Sequence, residues 1–169
     1  RFTPAVCKGR TLVFTTTNGT RALLRCAHAA QTLIAGFVNY SAVCERLRRE
    51  PRPVFIVCAG TDGQVTLEDA LLAGALVDFL HDEGRQRLND GARLAWDAYD
   101  LHGRCLQGAL ELSHGAENLR RLGYHEDIAD AARVDLFALV PEVRLDPLRV
   151  EVGSLGIVTG RWKSGSTGR

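Results

Sequence analysis

The chain contains no methionine and opens on Arg1. Translation starts at methionine, so a sequence with these two properties is expected to be a fragment or a processed product, with part of any active site encoded upstream. Cysteine is sparse and unpaired in pattern: Cys7, Cys26, Cys44, Cys58 and Cys105 are odd in number, widely spread and form no C-x-x-C. That excludes a disulfide frame and a cysteine zinc site, and it fits reduced thiols in a cytoplasmic protein. No apolar run is long enough to span a bilayer, and nothing resembles a signal peptide, so no membrane partner is expected. Excess charge of one sign is also missing. A net charge of +1 argues against a nucleic-acid surface, and the basic run Arg46-Leu47-Arg48-Arg49 falls where a helix ends, a place that suits cations. Several reaction motifs are absent. No Gly-rich loop ends in Gly-Lys-Ser or Gly-Lys-Thr, no Gly-x-Ser-x-Gly elbow occurs, and no strand is followed by Asp-x-Asp. A cysteine nucleophile at Cys58 would need an arginine six positions on, where Gln64 stands. Cys58 therefore reads as a small buried residue at a strand end.

What is present is a soluble-protein composition over 169 residues, enough for one core and too short for two ordinary domains. The first half alternates strand and helix. Strands are predicted at Leu12–Thr15, Thr32–Phe37 and Val54–Gly60, with helices at Thr20–Ala30, Ser41–Arg49 and Leu67–His81. Val54–Gly60 is continuously apolar, as a strand covered on both faces should be. This order implies an α/β fold, a three-layer α/β/α arrangement around a mostly parallel sheet with right-handed crossovers. The second half is helix-rich, with helices predicted at Asp90–His102, Leu106–Leu112, Glu117–Leu122 and Glu126–Arg133. A late strand follows at Leu136–Val140, and an edge strand is expected across Val143–Val150. Residues 1–159 are expected to be the C-terminal portion of a single α/β domain, with a flexible tail at 160–169.

Parallel sheets bind ligands beyond the carboxyl ends of their strands. The first such loop is Thr15-Thr16-Thr17-Asn18-Gly19-Thr20-Arg21. Free amides at a helix start, four hydroxyls and a guanidinium suit a phosphate, sulfonate or carboxylate. A cap and a turn would explain Thr17 or Thr20 and Asn18-Gly19, but three consecutive threonines exceed what a cap needs. The third strand leads into Gly60–Thr66 and then to Glu68 and Asp69. Thr66 with Asp69 makes a capping box, which accounts for one acid. A second acid on the same rim points to catalysis or to Mg²⁺, which takes one or two carboxylates with waters and a substrate phosphate. Asn39 follows the second strand, where its amide either caps the next helix or meets a ligand. His114, in Ser113-His114-Gly115, is a candidate general acid or anion contact. Asp127 lies near a helix start within reach of a neighbouring site, while Asp130 and Asp135 read as water-facing.

The block Thr15–Leu23, with its spacing to Gly36-Phe37-Val38-Asn39, resembles the 2-phosphosulfolactate phosphatase family. So do Cys58-Ala59-Gly60, Leu67-Glu68-Asp69, Ala73-Gly74, Ser113-His114-Gly115, Leu119, Gly123 and Asp127-Ile128, in that order up to Val140-Pro141. The resemblance implies an α/β, Mg²⁺-dependent hydrolase that releases phosphate from 2-phospho-3-sulfolactate, a step that serves coenzyme M synthesis in methanogens. It also implies an upstream segment, carrying Asp and Arg, that this chain lacks. The expected site is then Glu68 and Asp69 for catalysis and metal, with Thr15, Thr16, Thr17, Asn18, Gly19, Thr20, Arg21, Asn39 and His114 for substrate. The expected partner is a small anionic phosphoester, and a homo-oligomer is compatible with the sequence. Two other readings stand beside it: a non-catalytic anion-binding α/β module, and a structural subunit whose threonine loop only caps a helix.

Overall fold

A computed structural model describes residues 3–13 and 15–152; the tail expected at 160–169 lies outside the described residues. The helices are α1 (Pro4–Cys7), α2 (Gly19–Arg25), α3 (Tyr40–Arg48), α4 (Leu67–Asp82), α5 (Asp90–His102), α6 (Leu106–Glu111), α7 (His114–Arg121) and α8 (His125–Ala131). Strands β1 (Pro141–Leu145) and β2 (Leu148–Val152) pair antiparallel, with Val143 opposite Val150.

The molecule is organised around α4. Its sequence is rich in Ala and Leu, good helix formers, and its apolar residues fall on nearly every side, the pattern of a helix surrounded by protein. Leu71 and Ala75 are fully buried. One side of α4 joins Phe37, Tyr99, Leu106, Ala109, Leu110, Ala116 and Ile128. Another side, through Leu76 and Leu80, joins Ala42, Val43, Cys44 and Leu47 of α3, together with Val140. The helix stops at Gly84, whose φ of 91° lets its N–H reach the His81 carbonyl at 2.9 Å while Arg85 N–H reaches Leu80 at 3.0 Å.

Helix α5 starts where Asn89 Oδ1 accepts from Ala92 N–H at 2.8 Å. It crosses α4 at Gly74, where a Cβ would stand 2.0 Å from the Ala95 carbonyl oxygen and 2.6 Å from Tyr99 Cβ. Only glycine permits that approach. Trp96 Nε1–H donates to Asp78 Oδ1 at 2.8 Å and fastens the same two helices.

The expected parallel sheet is not seen among the described residues. Thr32–Gly36 lies instead beside the chain around 137–143 and runs antiparallel to it. Ile34 N–H donates to the Pro141 carbonyl and Val143 N–H to Thr32, both at 2.9 Å, with a bridge between Leu33 and Glu142. Further along, Phe137 N–H donates to the Val38 carbonyl at 2.8 Å. The edge strand expected across Val143–Val150 is a hairpin instead, turning at Asp146-Pro147. Among the described residues, the main chains of 11–13 and 54–59 make no ladder bonds. Val54 and Ile56 pack on the α3–α4 cluster, while Phe55 is 86% exposed and Val57 half-exposed. The alternation of a strand is therefore present, with one face covered rather than two. Helix content and α/β mixture agree with the sequence reading; the sheet present is small and antiparallel.

Candidate active site

The threonine loop closes on itself. Thr16 N–H donates to Thr20 Oγ1 at 3.0 Å, Thr20 N–H donates to Thr16 Oγ1 at 3.1 Å, and the Thr15 and Thr20 hydroxyls lie 3.2 Å apart. This reciprocal pair is a cap for α2, built on the same logic as a capping box. Gly19 is needed because a Cβ there would meet Thr16 Oγ1 at 2.8 Å. The capping role that a single hydroxyl was expected to fill thus occupies Thr16 and Thr20, with Thr15 in hydrogen-bond range of Thr20. Asn18 stands at the cap position without a side-chain cap bond. Thr17 and Arg21 are exposed, and among the described residues neither side chain has a hydrogen bond or ion pair. Arg21 is therefore an exposed cation without an ion pair among the described residues, on the helix that the self-closed loop caps.

The third loop is built by left-handed residues. Asp62 (φ 51°) and Gly63 (φ 77°) form a tight turn closed by Gln64 N–H to the Thr61 carbonyl at 2.9 Å and its reciprocal at 3.2 Å. Asp69 Oδ2 accepts from Gly60 N–H at 2.7 Å and ties this turn to α4. The expected Thr66–Asp69 capping box does not form: Thr66 is buried and makes no side-chain cap bond. One oxygen of the Asp69 carboxylate is directed to the Gly60 amide instead. Cys58, expected to be buried, is an exposed residue. Its Sγ–H points to the Asp69 carbonyl at 3.7 Å, and partial burial of the thiol pushes it above the ordinary range. That keeps it protonated at neutral pH and agrees with its exclusion as a nucleophile.

Glu68 is different. Its Oε2 is buried and has no hydrogen-bond partner among the described residues. Its Oε1 stands 2.8 Å from where a Cβ on Gly115 would be, and Ser113 Oγ is 3.5 Å from that same point. Ser113 caps α7 by accepting from Ala116 N–H at 3.0 Å. The Glu68 carboxylate, in the first turn of α4, thus stands at the start of α7, where the helix dipole favours negative charge. His114, the first residue of α7 and the sequence neighbour of Gly115, is exposed. The structure brings Glu68 and the Ser113–Gly115 segment together. Among the described residues, no hydrogen bond or ion pair joins them to the threonine loop.

Asn39 is committed elsewhere. It is 4% exposed; its Oδ1 accepts from Gly36 N–H at 2.8 Å, and its Nδ2 donates to Ile34 at 3.2 Å and Leu139 at 3.0 Å. It staples the antiparallel segments and offers nothing to a ligand. The cap of α3 comes from afar: Asp135, at φ 56°, accepts from Ser41 N–H at 2.7 Å and Ser41 Oγ–H at 2.6 Å. Sequence reading sent Asp135 to water; only an aspartate that tolerates a left-handed backbone hinted otherwise. The contact of Gly115 with Glu68 was likewise missed. Asp127 lines a shallow cleft of about 460 Å³ with Gly123, Tyr124, His125 and Glu126.

Residues 1–146 match the family model described as 2-phosphosulpholactate phosphatase, and the chain belongs to that family. More particularly, it is 34% identical over 143 residues to a probable 2-phosphosulfolactate phosphatase of Caldanaerobacter subterraneus subsp. tengcongensis, covering 85% of this chain and 59% of that protein. It is 38% identical to a protein of the same description from Symbiobacterium thermophilum, covering 83% of this chain and 60% of that one. A third such protein, from Thermotoga petrophila, is 39% identical over 79% of this chain and 56% of its own length. The chain therefore spans less than two thirds of the length of these relatives. Among the described residues, no helix is long and apolar enough to cross a membrane.

Proposed function

We propose that this chain contributes the Glu68 centre of a Mg²⁺-dependent phosphatase acting on 2-phospho-3-sulfolactate or a similar small phosphorylated hydroxy acid. The observation that carries the reading is the buried Glu68 Oε2 without a hydrogen-bond partner among the described residues, in a family whose curated relatives are named probable 2-phosphosulfolactate phosphatases. A buried carboxylate oxygen left unpaired is costly unless something outside the chain's own hydrogen bonds satisfies it. A water, a substrate proton or a cation meets that need.

The residues fit Mg²⁺ in its usual mode. No group of three or more ligating side chains exists among the described residues, and Mg²⁺ takes one or two carboxylates and fills its remaining positions with water and phosphate oxygens. Glu68 would hold it; Asp69 is the neighbouring acid, with one oxygen serving the Gly60 amide and the other available as a second ligand. The metal would supply charge neutralisation at the phosphoryl oxygens. In the hydrolysis, a water oxygen joins phosphorus, the bond from phosphorus to the substrate's C2 oxygen breaks, and that oxygen receives a proton, giving sulfolactate and inorganic phosphate. Glu68 orients the nucleophile. Arg21 and Thr17, both exposed, neutralise the anionic ends of the substrate, and His114 stands at the rim as an anion or proton contact. Placement and charge stabilisation are most of what phosphoryl transfer requires. The five free thiols suit a cytoplasmic setting.

The internal bonding of Thr16 and Thr20 favours a second reading for the loop alone, as a helix cap without a ligand. Arg21→Ala separates the two. If the loop binds substrate, KM rises about tenfold or more, the worth of a charge-assisted hydrogen bond, at unchanged thermal stability. An unchanged KM assigns the loop to capping. The activity itself is tested by phosphate release from 2-phospho-3-sulfolactate with Mg²⁺ and with EDTA. Turnover in Mg²⁺ that EDTA abolishes is expected; turnover indifferent to EDTA removes the metal from the account.

A further inference from the structure

We propose that Gly115 is a positioning residue for the Glu68 carboxylate: the missing side chain at this position is what lets the carboxylate stand at the start of α7. The inference rests on the reading of Glu68 as the reactive carboxylate. Its evidence is geometric. A Cβ at position 115 would fall 2.8 Å from Glu68 Oε1 and 3.3 Å from its Cδ, and 3.5 Å from Ser113 Oγ. The first of these is a separation that real Cβ atoms do not tolerate, so one partner must yield. Ser113 is fixed by its own cap bond to Ala116 N–H, and the backbone of α7 is held as a helix from His114. The carboxylate is the mobile partner, the end of a flexible side chain, so a methyl group at 115 moves Glu68 rather than the fold.

Gly115 has no left-handed φ to explain it. Inside a helix, alanine is ordinarily the better residue by propensity. Gly115→Ala should therefore leave the melting temperature unchanged or raise it, while pushing on Oε1 and so displacing the whole Glu68 carboxylate, including the buried Oε2 that has no hydrogen-bond partner among the described residues.

The test is a cycle of four proteins: the parent chain, Gly115→Ala, Glu68→Asp and the double variant, each assayed for phosphate release and melting temperature. Gly115→Ala is expected to lower kcat about tenfold or more, as a misplacement near 1 Å does, with KM little changed and no loss of melting temperature. In the Glu68→Asp background the carboxylate is withdrawn by one methylene, about 1.5 Å. There the same Gly115→Ala change should cost less than about threefold, because the methyl no longer meets the carboxylate. Equal losses in both backgrounds, or no loss in either, overturn the proposal. A Glu68→Gln variant with full activity instead removes Glu68 from the chemistry and leaves the placement to be judged separately. In that case the side-chain carboxyl ¹³C resonance of Glu68 decides: a changed shift in Gly115→Ala supports the placement, and an unchanged one overturns it.

Discussion

At the scale of single residues, the molecule separates carboxylates that look alike in sequence. Glu68 and Asp69 are neighbours in the first turn of α4, where the helix dipole favours acids. Asp69 is spent on the Gly60 amide, whereas Glu68 keeps a buried oxygen unpaired. Asn39 and Asp135 show the same economy: both are polar, and both are used up holding backbone. Polar groups engaged by their own chain are poor candidates for chemistry, and that criterion needs coordinates. Cys44 offers a residue-scale prediction. It is 4% exposed, and burial pushes its thiol up to about 12. The unfolded chain loses that proton near the ordinary thiol value while the native chain keeps it. Stability attributable to Cys44 is thus complete below about pH 8.5 and falls as pH rises towards 12. Between those limits the folding equilibrium should lose about tenfold per pH unit through this group. Chemical denaturation at pH 8.5 and 10.5 measures the slope, and Cys44→Ala should reduce it by about one proton.

At the scale of elements, most helices were legible and the strand pairing was not; α2 stops at Arg25 rather than at the expected Ala30. The boundaries expected for α4 and α5 agree with those observed to within a residue, because apolar spacing, an Asn cap and a stop signal lie within the same short stretch of sequence. α7 begins three residues earlier than its apolar pattern suggests, at the Ser113 cap. The strands are another matter. The continuous apolar run Val54-Phe55-Ile56-Val57 is readable as an extended segment, but its coverage on one face only is not, because what lies beside it is set by residues far away in the chain. Thr32–Gly36 finds its partner about a hundred residues later and antiparallel to it, which no local pattern encodes. Close helix crossings are equally hidden. Gly74 looks like a weak point in α4 by propensity, yet it is where α5 rests. Gly74→Ala should therefore destabilise rather than stabilise, by about 1–3 kcal/mol or more for an overpacked contact. A melting temperature at or above the parent value would show that the two helices can part at no cost.

At the scale of the whole molecule, two apolar clusters share α4, and the candidate centre sits at that helix's N-terminal end, against the start of α7. The burial that fixes α4 also fixes the Glu68 backbone, so the core sets the geometry of the site. The chain covers 56–60% of the length of the three relatives described above, and Val13, Phe55 and Val57 are each exposed. The threonine block was the most distinctive sequence feature, yet part of it turns out to be a self-closing cap. The weight of the functional reading accordingly moves from that loop to Glu68, one of two acids between which the sequence could not choose. The most direct measurement is steady-state phosphate release by Glu68→Gln against the parent protein at saturating Mg²⁺. A fall in kcat of about a hundredfold or more, the scale of losing a preorganised charged group from a phosphoryl-transfer centre, with the melting temperature held, is the predicted result. Parental turnover in that variant would contradict the account.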